Sequence, residues 1–296
     1  MPRKLKMTDE ERRAYSARMR GELEMVMDRA YGAMVASEEF WTGVMRTAAT
    51  LADRSAVNCV VIAAQLPDAT DVRSSGEWRK AGRFPAKGST SIRIWTPIRR
   101  RSEADQAATA AGDGRQQSQP EAAPVDGERE GRRVSGFKAG PVFDVSQTDG
   151  EAYEQPAAVP HAAEVVRDLL VDQYREAYGE DPERSGGYDF DRVTAEHAAR
   201  VLLYGHAWRR IDEEDALIPG QRAAEVASAA HVAALMLGVT PGPADVPQLA
   251  GVVAAGKKPP IHESAVRVIE AGRDIARVVL AAAERRGEAV GASPVS

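Results

Sequence analysis

The sequence predicts an α+β protein in which N-terminal helices pack on a small antiparallel sheet and a mostly helical C-terminal domain follows. Three observations carry that expectation. Apolar residues recur at helical spacing through the first fifty residues and again beyond residue 160. Between these stretches, residues 89–95 alternate, with Ile92 and Ile94 on one face and Arg93 and Trp95 on the other, as a half-buried strand does. Composition agrees: 43% of residues are hydrophobic but only 5% aromatic, and alanine is abundant, which suits helices packed through small side chains.

Taken in order, Thr8 and Glu11 form a capping-box pattern that starts a helix over residues 9–36. Met19, Leu23, Val26, Met27 and Ala30 fall on one face of it, a stripe that reads as core packing. Ser37 followed by two glutamates starts a second helix, with Phe40, Trp41, Val44 and Met45 as its apolar positions. Residues 55–64 read as a third helix, with a buried strand as the alternative because Val57, Val60, Val61 and Ile62 are β-branched. Residues 102–132 have no apolar periodicity and are rich in Ala, Gln, Gly, Pro and acids, so they read as a linker or an inserted loop without regular structure. Val134, Phe137, Val142, Phe143 and Val145 then suggest strand that pairs with the one at Ile92, which makes 102–132 a hairpin insertion. Helices follow over residues 161–178, 191 or 194 to 211, 222–237 (closed by Gly238) and 261–286. The expected domains are therefore residues 1–150 and 160–290.

The bulk numbers exclude several classes. A single cysteine, Cys59, excludes an internal disulfide and a cysteine-rich zinc site, and its valine neighbours make it a small buried residue. No apolar run approaches the roughly 18 residues of a membrane span, and the charged N-terminus has no signal-peptide core, so a cytoplasmic protein is expected with no membrane partner. Charge is divided along the chain. Residues 1–101 hold 19 Lys or Arg against 12 Asp or Glu, a net +7, in a chain whose net charge is −5. Residues 73–101 alone hold nine Lys or Arg and one acid, beside Trp78 and Trp95. Cations along a backbone and flat side chains for bases are what a single-stranded nucleic acid needs. Arg79, Lys80, Arg83, Lys87 and Arg93 are candidates for the charge, and Trp95 or Phe137 for the stacking face. Asn58 and Gln65 are candidates to organise the site or touch a base edge. Trp78, Lys138 and Gln147 complete the set, although Trp78 also reads as a loop anchor and Arg83 as a local salt-bridge partner.

The same residues carry a family resemblance. Ser55 and Asn58, with Arg54 in place of a tyrosine, are followed by Gln65, Pro67, Ala69 and Thr70, then Trp78, Gly82 and Arg83. Lys87, Gly88, Ile92, Ile94 and Pro97 come next, and then Gly136, Phe137, Val142, Phe143, Asp144, Gln147, Thr148 and Gly150. In this order they resemble the N-terminal single-stranded-DNA-binding domain of ArdC-like anti-restriction proteins and related plasmid primases. The resemblance implies sequence-independent binding of single strands and a setting in a plasmid, conjugative element or phage. Members of that family commonly carry a C-terminal zinc metallopeptidase-like domain with His-Glu-x-x-His on a helix. Here Glu196 aligns with the glutamate, but Ala195 and Ala199 stand where the zinc-binding histidines belong. On a later helix Glu225 remains and Ala227 replaces the second glutamate. That pattern implies a retained fold without the peptidase site, hence no enzyme, no metal and no cofactor. His197 and His206, nine residues apart, point to opposite helix faces. The expected function is therefore single-stranded DNA binding that protects by occupancy. The alternatives are an interaction protein (basic loop to an acidic protein partner, or a protein partner for the acidic C-terminal half) and a metal-dependent hydrolase built from Glu196, Glu225 and His231.

Overall fold

A computed structural model of the chain describes residues 7–101, 132–154, 162–180, 182, 189–253 and 258–286. The fold is α+β, with helices at both ends of a small antiparallel β region. The chain groups into two compact units: Met1–Arg29 with Val60–Glu154, and Ala30–Cys59 with Gln155–Ser296. The sequence assigns all of 1–150 to one domain. The structure instead gives residues 30–59 to the second unit, for a packing reason described below.

Helix α1 (Asp9–Ala36) starts where the capping box predicts, with the Glu11 amide donating to Thr8 Oγ1 and the Thr8 amide to Glu11 Oε2 at 2.7 Å. Of its stripe, Met19, Leu23 and Ala30 are buried, and Val26 and Met27 are half-buried. Helix α2 (Glu38–Thr50) is capped by Ser37, whose hydroxyl accepts from the Phe40 amide. Helix α3 (Ala56–Gln65) settles the ambiguity over residues 55–64 in favour of helix.

In the first unit, β1 (Val72–Arg73), the short helix α4 (Ser75–Lys80), β2 (Arg83–Pro85), β3 (Ile92–Arg101), β4 (Arg132–Asp144) and β5 (Thr148–Gly150) follow. The order β1-β4-β3 makes a three-stranded antiparallel sheet, and β2 pairs with β5 separately. Helix α4 forms because Ser74 and Glu77 make a capping box at its start. Strands β3 and β4 pair from Ile92↔Val142 to Arg101↔Arg132, so residues 102–131, themselves outside the described residues, connect the two arms of a hairpin. The register shifts between Pro97 and Arg99, where Ser135 and Gly136 stand opposite Ile98. Gly136 takes φ 149 at this bulge, a conformation that a side chain disfavours. Ile92, Ile94 and Val142 turn into the core, as the alternation predicts.

The second unit is helical: α2, then α5 (Ala163–Tyr178), α6 (Ala195–Trp208), α7 (Gln221–Leu237) and α8 (Pro260–Arg286). Trp41 of α2 is fully buried and donates from Nε1 to Ser228 Oγ of α7 at 2.9 Å. Arg273 of α8 is buried and closes the C-terminal end of α2, donating to the carbonyls of Ala48, Leu51 and Arg54 and to Cys59 Sγ. Those carbonyls belong to the last turn of α2 and the segment after it, which lack intrahelical partners, and a guanidinium satisfies several at once. These contacts bind residues 30–59 to the C-terminal helices. Small residues permit close helix contact: a Cβ on Gly272 would stand 2.6 Å from Ala229 O and 2.7 Å from Val232 Cβ.

Candidate nucleic-acid interface

Several polar residues of the first unit that the sequence singles out frame the site rather than face solvent. Gln65, at the end of α3, lies beside the edge strand β3. Its Nε2 donates to Arg93 O at 2.8 Å and its Oε1 accepts from the Arg93 amide at 2.9 Å. The partner of Arg93 across the ladder is Pro141, so the Arg93 backbone groups point away from β4. The glutamine amide completes them as another strand would.

Asp144, three residues beyond Pro141 on β4, plays a similar part. It is fully buried and accepts from the amides of Thr70 (2.7 Å), Asp71 (3.0 Å) and Ser146 (2.9 Å). Gln147 returns the bond, its Oε1 accepting from the Asp144 amide while its Nε2 donates to Thr90 O. Trp78, a candidate contact in the sequence, is corrected: it is fully buried and donates from Nε1 to Phe143 O at 2.7 Å. Its ring meets Tyr153 edge-on, and the Arg73 guanidinium lies 5.0 Å from its centroid. Arg73, counted in the basic stretch, is held by Asp71 through both Nε and Nη2, so its charge is compensated.

Arg83 is likewise committed inward. Nε donates to Thr148 Oγ1, Nη2 to Thr148 O and Nη1 to Glu151 O. Its partners are neutral oxygens and not the carboxylate expected for a salt bridge, so its positive charge still contributes to the local field. Gly150 lies where β5 passes β2, and a Cβ there would stand 2.3 Å from Gly82 O. Only glycine lets the two strands approach so closely.

Three candidate cations remain outward: Arg79 and Lys80 at the end of α4, and Lys87 after β2. Between them Phe84, on the short strand β2, is 53% exposed. The sequence reading missed it, although an aromatic flanked by Arg83 and Lys87 was the available signal. A second outward group sits on the β3–β4 hairpin. Phe137 is 53% exposed, Lys138 is exposed beside it, and Arg20 of α1 donates to Phe137 O at 2.8 Å. Arg93 and Trp95, on β3, are both half-buried, with Trp95 Nε1 donating to Met27 Sδ. Trp95 is thus partly covered by α1, and Phe84 and Phe137 offer the more open ring faces. Asn58 groups with the second unit and is buried, its amide donating to Ser55 Oγ. The side chains of residues 99–101 lie outside the described residues.

In the second unit, the residues of the alternative metal site each have other partners. Glu225 is buried and accepts from Gln221, Ser264 and Arg267. His231 bonds Gly242 O through Nδ1 at 2.6 Å, and Glu196 is exposed, accepting from Thr240 Oγ1. Among the described residues no group of three or more His, Cys, Asp or Glu is arranged to hold a metal ion. His206 is buried, bonds Leu170 O and titrates at about 4, chiefly because burial disfavours the imidazolium. Burial likewise lowers His231 and His262. No described helix is long and apolar enough to cross a membrane. Comparison of the chain with protein-family models, curated proteins and solved structures gave no match.

Proposed function

We propose that the first unit binds single-stranded DNA without reading its sequence. The observation that carries the reading is the division of labour around α4 and β2. Gln65, Trp78, Arg83, Asp144 and Gln147 are spent on backbone bonds that hold the frame, while Arg79, Lys80, Phe84 and Lys87 project from it. Exposed cations attract phosphates, and an exposed ring stacks a base for roughly 1–3 kcal/mol, an interaction open to unstacked bases only. At the hairpin Arg20 lies by exposed Phe137, and Lys138, the next residue along β4, adds charge on the opposite face.

By the resemblance to ArdC-like proteins, the role is protection of DNA by occupancy in a plasmid, conjugative element or phage, acting in the cytoplasm. Such a role needs no catalytic residue, metal or cofactor. Fluorescence anisotropy with labelled single- and double-stranded 20-mers across a salt series tests it. Single-strand affinity at least tenfold above duplex is expected, with log K falling linearly in log salt. The Arg79→Ala/Lys80→Ala/Lys87→Ala variant should reduce that slope by about 2, at about 0.7 per lost phosphate contact. No binding at low salt overturns the proposal.

A further inference from the structure

The second unit carries an exposed aromatic pair. Tyr204 and Trp208 stand one turn apart on α6, 39% and 40% exposed, their ring planes 24° apart with centroids at 6.2 Å. Arg222 of α7 fixes the indole in place. Its guanidinium lies 4.0 Å from the Trp208 centroid, donates to the carbonyls of Trp208 and Ile211, and pairs with Glu213. A large ring that is held still and yet left in solvent is preorganised for contact, and tyrosine and tryptophan carry much of the binding energy of protein interfaces.

The charge around the pair indicates what it takes. Asp212, Glu213, Glu214 and Asp215 follow α6 directly and are all exposed. Asp245 lies close enough that, after burial, its carboxylate pushes the Tyr204 phenol further up. Of the neighbouring cations, Arg222 pairs with Glu213, Arg209 with Glu180 and Arg210 with Asp274, while Arg200, one turn before Tyr204 on α6, adds a single positive charge against these acids. Asp212 and Glu214 make no ion pair among the described residues. The face therefore presents uncompensated negative charge beside aromatic rings, a combination that attracts a guanidinium or ammonium and repels a polyanion.

We infer that this face docks a lysine- or arginine-bearing peptide segment of a protein partner. The inference is independent of DNA binding, since it uses the other unit and the opposite charge. Isothermal titration of the full chain with an acetylated peptide of six arginines spaced by glycines tests it, with glutamine replacing arginine in a control peptide. The arginine peptide should bind at least tenfold tighter than the control. Tyr204→Ala/Trp208→Ala should weaken it at least tenfold, and Asp212→Asn/Glu214→Gln about threefold or more. Circular dichroism checks that each variant is folded. If the aromatic variant is not, the charge variant decides, because its residues are exposed and unpaired. Arginine-peptide affinity unchanged in the folded variants overturns the proposal, as does no binding at low salt. A dimer in sedimentation that Tyr204→Ala/Trp208→Ala dissolves also overturns it, because the face would then belong to a second copy.

Discussion

The two units solve the same problem, holding a small fold together, with different chemistry. The first has 22 Lys or Arg and 20 Asp or Glu, a net +2; the second, at −7, holds the balance of the chain's −5. The first ties short strands together by aiming polar side chains at backbone groups, as Gln65, Asp144 and Arg83 do. The second packs helices through small residues and buries polar groups among them, including the Glu225–Arg267 pair and three of its histidines. All five histidines of the chain lie in the second unit. The contrast teaches where each unit is vulnerable. The first should fail when a backbone bond is lost, the second when charge is added to or stranded in its interior.

The largest expected effect is in the second unit. Glu225→Ala leaves Arg267 without its partner and removes the acceptor for Gln221 and Ser264. Urea denaturation should show a loss of about 4 kcal/mol, in the range for breaking a buried pair. A loss below about 1 kcal/mol would show that water reaches the site.

Acid comes next. The His206 pKa of about 4 lies below its ordinary 6.5. The unfolded chain therefore takes the proton first, and stability present above pH 6.5 is lost as pH falls towards 4, by up to about 3 kcal/mol. His231 and His262 act in the same direction. Denaturation at pH 7 and pH 4.5 should show this loss, and His206→Phe should remove much of it. The first unit, without histidine, gives no such contribution.

For the first unit, Asp144→Asn keeps the shape but turns one acceptor into a donor facing backbone amides. A loss of about 2 kcal/mol is expected by thermal denaturation. An unchanged melting temperature would mean the 70–71 and 144–147 segments hold without the clamp. The smallest effect concerns binding. The Glu151 carboxyl group lies against Gly82, beside the outward cations. Glu151→Gln should raise single-strand affinity two- to threefold in the same anisotropy assay, and no change would place the strand away from β2.

Much of this was legible beforehand because it depends on neighbours in sequence. The Thr8 and Ser37 caps, the Ile92/Ile94 alternation and the Gly238 stop are local rules, and each element formed where those rules put it. Pairing of Ile92 with Val142 was also readable, since alternation on both sides of an irregular stretch invites a hairpin. The candidate site was only partly legible. Its cations and rings could be counted, but counting does not distinguish a side chain that points out from one that points in. Gln65 turns to a strand edge because the outward Arg93 N–H and C=O of edge strand β3 have no strand partner, and Trp78 turns inward to Phe143 O. Phe84 is left outside by the short pairing of β2 with β5.

The sequence by itself therefore determined the long helices, the alternating strand at Ile92, the α+β class and the uneven distribution of charge, all properties of spacing and composition. Only the tertiary structure decided that residues 30–59 join the C-terminal helices, because Arg273 and Ser228 reach α2 from more than 180 residues away along the chain. It also decided which polar groups hold the fold and which face solvent. A buried donor or acceptor takes whatever partner folding brings near, and that partner is set by distance in space.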